Sequence, residues 1–370
     1  MKNGAVSVFL LNGRVCDKLI MRFKRDFNMK KNQCCPSQLR YDVVSKDWVV
    51  IAPGRGKRPE EYKRQRKIIE MDLRQCPFCN LTEAADPLLV FSAGKIAAKK
   101  TLPGDWTLAV IPNKFPAFYP ITEKSVCQWK IGPVYRSMDA VGFCEVVVTR
   151  DHDCHLGLMD LPATEEVMAA YQTRYLELKE HKLVKYISIF HNHGAEAGAS
   201  QPHPHSQIIT SPLIDVDLLG ELENSKKYWR THKKCLACEM NKFELKDRSR
   251  VVCENADFVA SCPFASKTAF KVVISPKFHS PRFENIDPGQ RKSLTQILSA
   301  AIKKIYNALG DPAYNFYLHT APCDRKDYSH YHWHLTIVPK TAIMAGFEIG
   351  TRIEISTIEP ERAAEYLRAQ

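Results

Sequence analysis

The stretch Gly198-Ala-Ser-Gln-Pro-His-Pro-His-Ser-Gln207, which runs into an apolar Ile-Ile pair, decides the fold. The residue before a proline favours extended backbone, so we expect His203 to be extended and the apolar residues after it to continue as a strand. Alternate side chains of a strand share a face, and His203, His205 and Gln207 would therefore point the same way. Two imidazoles and an amide on one face indicate either a reactive site or a polar, metal-binding face.

The composition is that of a globular protein with an excess of basic residues. The 370 residues are 45% hydrophobic and 25% charged, and 53 lysines and arginines against 41 acidic residues give a net charge of +12. No apolar run is long enough to span a membrane, and the apolar patch at residues 5–11 lacks a clear signal-peptide cleavage site. The charge suits either a solvated surface or an anionic partner, which would be a phosphorylated small molecule or a nucleic acid.

The cysteines indicate metal binding in a reducing compartment. There are 13 of them in a long chain, and two pairs have the C-x-x-C spacing, Cys76/Cys79 and Cys235/Cys238. A disulfide framework is typical of small secreted domains instead. We therefore expect a cytoplasmic protein whose thiolates bind metal.

An internal repeat organises the chain. Each half has, in order, a C-x-x-C pair, a strand, a strand followed by histidine, a helix, a further strand and an H-x-H strand. His203-Pro-His205 of the first half aligns with His332-Trp-His334 of the second. The repeat predicts an α+β fold with two modules, each with an antiparallel sheet and one long helix. We expect these helices at 162–182 and 288–309.

Each repeat offers two cysteines and two histidines, a set that matches tetrahedral zinc with every position filled. Such closed sites are structural, so we expect zinc as a cofactor, two ions per chain, each joining an H-x-H strand to a C-x-x-C loop. His155 competes with His152 in the first site. His319, His330 and His334 compete in the second, and the alternative is that these side chains share no metal. The expected ligands are Cys76, Cys79, His152 and His203, and Cys235, Cys238, His279 and His332.

His205 is left free if His203 binds zinc. A neutral imidazole can attack phosphorus and form a covalent intermediate that water or another acceptor cleaves. Gln207 can donate to a phosphate oxygen without adding charge, and Ser200 with the glycine-rich backbone around it can hold the same phosphates. Because Thr336 aligns with Gln207 in the second repeat, we expect one catalytic site for the pair of repeats.

At these residues the chain resembles the galactose-1-phosphate uridylyltransferases of the histidine-triad superfamily, from about residue 39 to the C-terminus. Pro202-His-Pro-His-Ser-Gln207 is similar to the family's nucleophile motif. Arg40-Tyr-Asp42 followed by Ile51-Ala-Pro-Gly-Arg-Gly-Lys-Arg-Pro59 is similar to its N-terminal signature, and Ala345-Gly-Phe-Glu-Ile-Gly350 to its hexose-binding segment. The H-x-H alone indicates only the superfamily, whereas the motifs together indicate the family.

The resemblance implies a ping-pong nucleotidyl transfer. His205 would attack the α-phosphorus of a sugar nucleotide and release the sugar 1-phosphate, and would then pass the nucleotide to a second sugar phosphate. The substrates implied are UDP-glucose and galactose 1-phosphate, and the assembly implied is a homodimer with active sites at its interface. The residues implied in nucleotide and phosphate binding are Arg55, Arg58, Asn113, Asn192, Ser200 and Gln207, and those facing the hexose are Phe347 and Glu348.

Two departures from the family pattern leave the base and the acceptor open. The second C-x-x-C is similar to a two-zinc branch that includes ADP-glucose phosphorylases, and a basic residue expected before the hexose segment is replaced by Ala342 and Ile343. The alternatives are thus an ADP-glucose phosphorylase and a hydrolase of dinucleotides or nucleic-acid ends, although the hexose segment argues against the hydrolase. A zinc-stabilised binding module is a third, against which the intact His205 and Gln207 argue.

The repeat and the resemblance together predict three segments. Residues 1–38 are an N-terminal appendage and a candidate for disorder, 39–220 a catalytic histidine-triad-like repeat, and 221–370 a second repeat with the second zinc and the hexose segment. The expected partners are a sugar nucleotide and a sugar 1-phosphate, with neither nucleic acid nor membrane.

Overall fold

Antiparallel strands dominate the computed structural model, which describes residues 37–55, 59–63, 72–81, 86–97, 102–120, 122, 129–131 and 133–370. The predicted appendage lies outside these residues apart from its last two. The strands are β1 Gln38–Tyr41, β2 Trp48–Ile51, β3 Leu89–Ser92, β4 Lys95–Ile96, β5 Trp106–Pro112, β6 Trp129–Ile131, β7 Tyr135–Ser137, β8 Cys144–Thr149, β9 Tyr186–His193, β10 His205–Ser211, β11 Val251–Glu254, β12 Phe258–Ser261, β13 Val272–Pro276, β14 Tyr314–His319, β15 His334–Pro339 and β16 Ile355–Ser356.

The two predicted long helices are present, and their ends follow from capping residues. Asp160 and Asp287 each accept a hydrogen bond from a backbone N–H in the first turn, and proline opens each helix. Gly310, at φ 73°, ends the second helix in the left-handed conformation that glycine adopts without strain. The described helices are α1 Leu161–Leu178, α2 Val216–His232, α3 Leu236–Asp247, α4 Pro288–Leu309, α5 Gly346–Thr351 and α6 Pro360–Arg368.

One eleven-stranded sheet contains both halves of the repeat, in the order β11-β12-β13-β15-β14-β9-β10-β8-β5-β3-β4. Reading outward from the centre, β9, β10 and β8 of the first half correspond to β14, β15 and β13 of the second. The two halves meet where β9 pairs antiparallel with β14, for example at Asn192 opposite Asn315. The predicted α+β class with antiparallel sheets is confirmed, and the structure adds that the two sheets are continuous.

The two faces of the first half are covered by different elements. On one face α1 packs against α4, and the side chains of Val147, Tyr171 and Ile208 belong to the same buried apolar cluster. On the other face Val146 and Val148 pack with Cys76 and Phe78 of the C-x-x-C loop. Alternation along β8 therefore separates a helix side from a C-x-x-C side, and the candidate site lies on the latter.

A three-stranded sheet, β1-β2-β16, is held against the second half of the chain. The Lys267 ammonium lies 2.7 Å from the Asp47 carboxylate, and Arg40 lies 2.9 Å from Glu361 at the start of α6. Among the described residues, no helix has the length and apolar character needed to cross a membrane.

Candidate active site

His205 opens strand β10 and presents a neutral imidazole. The ring Nδ1 lies 2.9 Å from the carbonyl oxygen of His203, so Nδ1–H donates to that oxygen and Nε2 keeps its lone pair. Burial lowers the pKa of His205 below its ordinary value, and the bond to the His203 carbonyl opposes this shift. The ring is 7% exposed and lies 5.1 Å, centroid to centroid, from Phe78. This tautomer and charge state are those of a nitrogen nucleophile.

The next side chain, Ser206, points to the helix side and anchors the strand. Its hydroxyl accepts a hydrogen bond from the Tyr171 hydroxyl on α1 and lies 3.0 Å from Nδ1 of His191 on β9. Burial holds the pKa of His191 well below its ordinary value, with neighbouring histidines adding to the effect. The predicted alternation is therefore seen in the contacts, since His203 and His205 both lie against Phe78 on the opposite side.

The first Cys/His cluster consists of Cys76, Cys79, His152 and His203, whose ligand atoms lie within 4.8 Å of one another. The His203 Nδ1 atom lies 3.5 and 3.4 Å from the two sulfurs and 3.2 Å from His152 Nδ1. Around a tetrahedral zinc with bonds of ~2.3 Å to sulfur and ~2.1 Å to nitrogen, such atoms are about 3.3–3.6 Å apart. His203 Nε2–H donates to the Thr149 carbonyl at 2.7 Å, which orients the ring as metal-bound histidines usually are.

The second cluster repeats the same design in the other half, with Cys235, Cys238, His279 and His332. Nδ1 of both histidines lies 3.5 Å from the Cys238 sulfur, and His332 Nδ1 lies 3.9 Å from that of Cys235. The opposite nitrogens donate to backbone carbonyls, His279 to Ser329 at 2.8 Å and His332 to Pro276 at 3.0 Å. Both clusters therefore fit a closed, structural zinc site.

His155, the competitor for the first Cys/His site, has other neighbours, and so does the adjacent His193. His193 Nε2 lies 2.8 Å from an Asp311 carboxylate oxygen, and His155 Nε2 lies 3.7 Å from the same atom. Because the Gly157 N–H donates to His155 Nδ1, the proton of a neutral His155 ring is on Nε2 and faces the carboxylate. The His193–Asp311 hydrogen bond links β9 to the end of α4, and the Nε2–H of His155 faces the same carboxylate.

The histidines that compete for the second site line a cavity of about 180 Å³ in the second half. His319 Nδ1 lies 3.6 Å from Glu221, with His334 in the same group, and His330 lines the same cavity. Burial alone would raise the pKa of Glu221, but hydrogen bonds and charge from His319, together with His334 and Tyr331, lower it to about 2. Burial also lowers the pKa of His334, the counterpart of His205, to about 3.

The residues expected to bind phosphate lie on β10 itself and on the elements to either side of it. Asn192 is on β9, with its amide oxygen 2.7 Å from Asn315 Nδ2, and Ser200 is exposed just after the turn at Ala195–Ala197. Gln207 is half-buried within β10, between β8 and β9. Asn113 follows β5, and its amide oxygen accepts from the Phe115 N–H at 2.9 Å.

The remaining expected residues are on or next to the three-stranded sheet. Arg55 is exposed after β2, and Arg58 lies outside the described residues. Phe347 is 50% exposed on α5, and Glu348 accepts a hydrogen bond from the Ala345 N–H at 3.1 Å. Helix α5 is followed by β16, which pairs with β2, so residues 345–350 and Arg55 flank the same small sheet.

Two family models match nearly the whole chain. "Galactose-1-phosphate uridyl transferase, N-terminal domain" matches residues 26–214, and the corresponding C-terminal domain matches residues 221–369. The chain belongs to the galactose-1-phosphate uridylyltransferase family. This confirms the family resemblance and makes the chain a nucleotidyltransferase of that family.

Relatives within the galactose-1-phosphate uridylyltransferase family differ in their named activity. An ADP-glucose phosphorylase of Arabidopsis thaliana is 32% identical over 335 residues, covering 90% of this chain and 92% of the relative. A galactose-1-phosphate uridylyltransferase of Thermotoga maritima is 29% identical over 341 residues, covering 90% and 98%. A crystal structure of an Arabidopsis thaliana ADP-glucose phosphorylase with bound ADP-glucose superposes with a TM-score of 0.75 at 30% identity, covering 90% of this chain and 99% of that one.

Several groups around the site were not anticipated from the sequence. Phe78 lies within the first C-x-x-C pair, and its contact with both histidines follows from that loop covering the start of β10. The sequence does not show which helix faces β10, so it does not predict the Tyr171–Ser206–His191 hydrogen-bond network. Asn315 carries no motif, and its position opposite Asn192 follows only once the central pairing of the sheet is known.

Proposed function

We propose that the protein moves a nucleoside monophosphate from a nucleoside diphosphate glucose to a phosphate acceptor through a covalent nucleotidyl-His205. The observation that carries this is the His205 tautomer, in which Nδ1–H is bound to the His203 carbonyl and Nε2 is available. In the first step Nε2 bonds to the α-phosphorus, and the bond from that phosphorus to the bridging oxygen breaks. Glucose 1-phosphate leaves with the electron pair.

The same hydrogen bond stabilises the intermediate. The ring gains positive charge when Nε2 bonds to phosphorus, and the His203 carbonyl oxygen 2.9 Å from Nδ1 lies where that charge is shared. In the second step an acceptor phosphate oxygen attacks the same phosphorus, the P–N bond breaks and Nε2 recovers its lone pair. Gln207 and Asn192, as amides, would donate to the phosphate oxygens in both steps.

ADP-glucose is the donor we favour, with phosphate as acceptor. The resemblance of the second C-x-x-C pair to the branch that includes ADP-glucose phosphorylases supports this choice, as does the Arabidopsis relative of that name, which is 32% identical. UDP-glucose with galactose 1-phosphate is the second candidate, supported by the family models and the Thermotoga relative.

Zinc in each Cys/His cluster would be structural. Cys76, Cys79, His152 and His203 would hold one ion and Cys235, Cys238, His279 and His332 the other, with no position left for substrate. The first ion would fix the backbone of His203, whose carbonyl orients the His205 ring.

A labelling experiment tests the proposal and separates the two donors. The protein is incubated with ADP-glucose or UDP-glucose that carries ³²P at the α-phosphorus, without acceptor, and then denatured. We expect acid-labile label on His205 from ADP-glucose, released as ADP on adding phosphate. Label from UDP-glucose alone, discharged by galactose 1-phosphate, would select the second candidate, and no label from either donor would contradict covalent transfer.

A further inference from the structure

The side chain of Asn315, on the second half of the chain, reaches the phosphate-binding elements of the first. It lies opposite Asn192 in the central β9–β14 pair. Its Nδ2 atom lies 2.7 Å from the Asn192 amide oxygen and 2.8 Å from the Ala197 carbonyl oxygen. Both N–H bonds of one amide are therefore used, one on each of two neighbouring elements.

The first of these bonds decides which way the Asn192 amide faces. An asparagine amide has a donor end and an acceptor end, and turning it over exchanges them. With its oxygen held by Asn315, Asn192 presents its N–H₂ group to whatever binds beside it. The reversed amide would place an oxygen against phosphate oxygens and repel them.

The second bond ties down the turn that leads to Ser200. The turn at Ala195–Ala197 lies between Gly194 and Gly198, which have φ of 83° and 86°. A side chain at either glycine would be strained, and the Gly198 N–H already closes the turn on Ala195 at 2.9 Å. Asn315 adds a bond from outside the turn, so one amide sets the position of the turn relative to Asn192.

We infer that Asn315 is a positioning residue for nucleotidyl transfer, acting through Asn192 and the 195–197 turn to aim hydrogen-bond donors at the phosphates of the sugar nucleotide. This rests on the proposed function, since the ligand is the donor that reacts with His205. It gives the second half of the chain, which has its own Cys/His cluster, a direct part in the single reactive site.

The test is a double-mutant cycle on the rate of His205 labelling at saturating donor. Asn315→Ala should slow labelling roughly tenfold, as expected when one hydrogen bond that orients a reacting group is lost. The donor concentration at half-maximal rate should change less, because the bond acts on alignment. In an Asn192→Ala background, adding Asn315→Ala should cost clearly less than tenfold, since only the bond to the Ala197 carbonyl is left to lose.

Controls separate positioning from a general loss of structure. Tyr317→Phe, two residues along the same face of β14, should label at the wild-type rate. Each variant should match the wild type in melting temperature and zinc content. If Asn315→Ala is less stable, Asn315→Ser, which keeps one hydrogen-bond donor, replaces it in the cycle. Wild-type labelling by Asn315→Ala, or losses that multiply in the double variant, would overturn this inference alone. A wild-type protein that no donor labels would overturn the proposed function and this inference with it.

Discussion

Two histidines at equivalent positions of the repeat have different neighbours. Each bonds to the backbone of the histidine two residues before it, but His205 lies against Phe78, whereas His334 is grouped with Glu221 and His319. Gln207 follows His205 by two residues, and Thr336 stands at that position after His334. A threonine hydroxyl is about two bonds shorter than a glutamine amide, so it does not reach the same phosphate oxygens.

This difference leads to a prediction about labelling. His205→Ala should abolish covalent nucleotide attachment, a loss on the order of several powers of ten, because the nucleophile itself is removed. His334→Ala should label normally, and peptide mapping after digestion distinguishes the two positions. His205→Gly, with a space roughly the size of imidazole, should accept a nucleotide imidazolide as donor to the acceptor phosphate. Label found on His334, or near-normal transfer by His205→Ala, would contradict the assignment.

At the scale of elements, we propose that the C-x-x-C loops depend on a bound cation for their structure. Burial, together with the Cys76 thiol beside it, raises the pKa of Cys79 to about 11. In the second loop a hydrogen bond from Cys238 lowers the pKa of Cys235, and the same contact raises that of Cys238. In the second loop the two sulfurs therefore share one negative charge, and a bound zinc would stabilise both as thiolates.

Removing one sulfur should therefore destabilise the protein. Cys76→Ser should lower the zinc content by one ion and the melting temperature with it, because metal-binding energy contributes to folding. The matched variant Cys144→Ser changes a buried cysteine of β8 outside the clusters and should keep the metal. A Cys76→Ser protein with an unchanged melting point but no turnover would show that zinc takes part in the chemistry.

Zinc retention should also depend on pH in a definite direction. Protons compete with zinc for thiolates and imidazoles, and the raised pKa of Cys79 strengthens that competition in the first cluster. Zinc should therefore be kept at neutral pH and released as the pH falls. Titration with a chromogenic chelator measures the release, and a release that increases towards alkaline pH would contradict thiolate ligation.

At the scale of the whole molecule, His205 and residues 345–350, the proposed hexose segment, belong to different halves of the chain. Helix α5 continues into the three-stranded sheet, which contacts the second half through Asp47 and Lys267, whereas His205 lies in the first half. The family resemblance implies a homodimer with active sites at its interface, and we propose that Phe347 and Glu348 complete the site of the other subunit.

Mixing two inactive variants tests this arrangement. If each site combines His205 of one chain with Glu348 of the other, co-expressed His205→Ala and Glu348→Ala chains should recover about a quarter of wild-type activity, because random pairing gives half mixed dimers with one intact site each. Co-expression of each variant with itself is the control, and sedimentation should give twice the mass of one chain. Recovery that is absent in verified mixed dimers would place both residues in one chain's site.

The sequence was sufficient for the features that depend on local spacing. The helices capped by Asp160 and Asp287, the two C-x-x-C pairs and the strands after each H-x-H motif follow from neighbouring residues, and the structure contains them, although each strand begins only at the second histidine. The pairing of β9 with β14 depends on strands about 120 residues apart, which no local pattern encodes. For that reason the continuous sheet and the Asn315–Asn192 contact became visible only in three dimensions, as did helices α2 and α3 between the halves.

The central β9–β14 pair has a consequence for the covalent link between the halves. Five residue pairs join these strands, and α1 packs on α4 directly beside them. A chain severed in the short connection at 212–215 would keep this non-covalent seam, while either fragment alone would expose a bare strand edge and an apolar helix face to water. If the gene is divided at that connection, we expect two polypeptides that fold when they are expressed together and not when either is expressed alone.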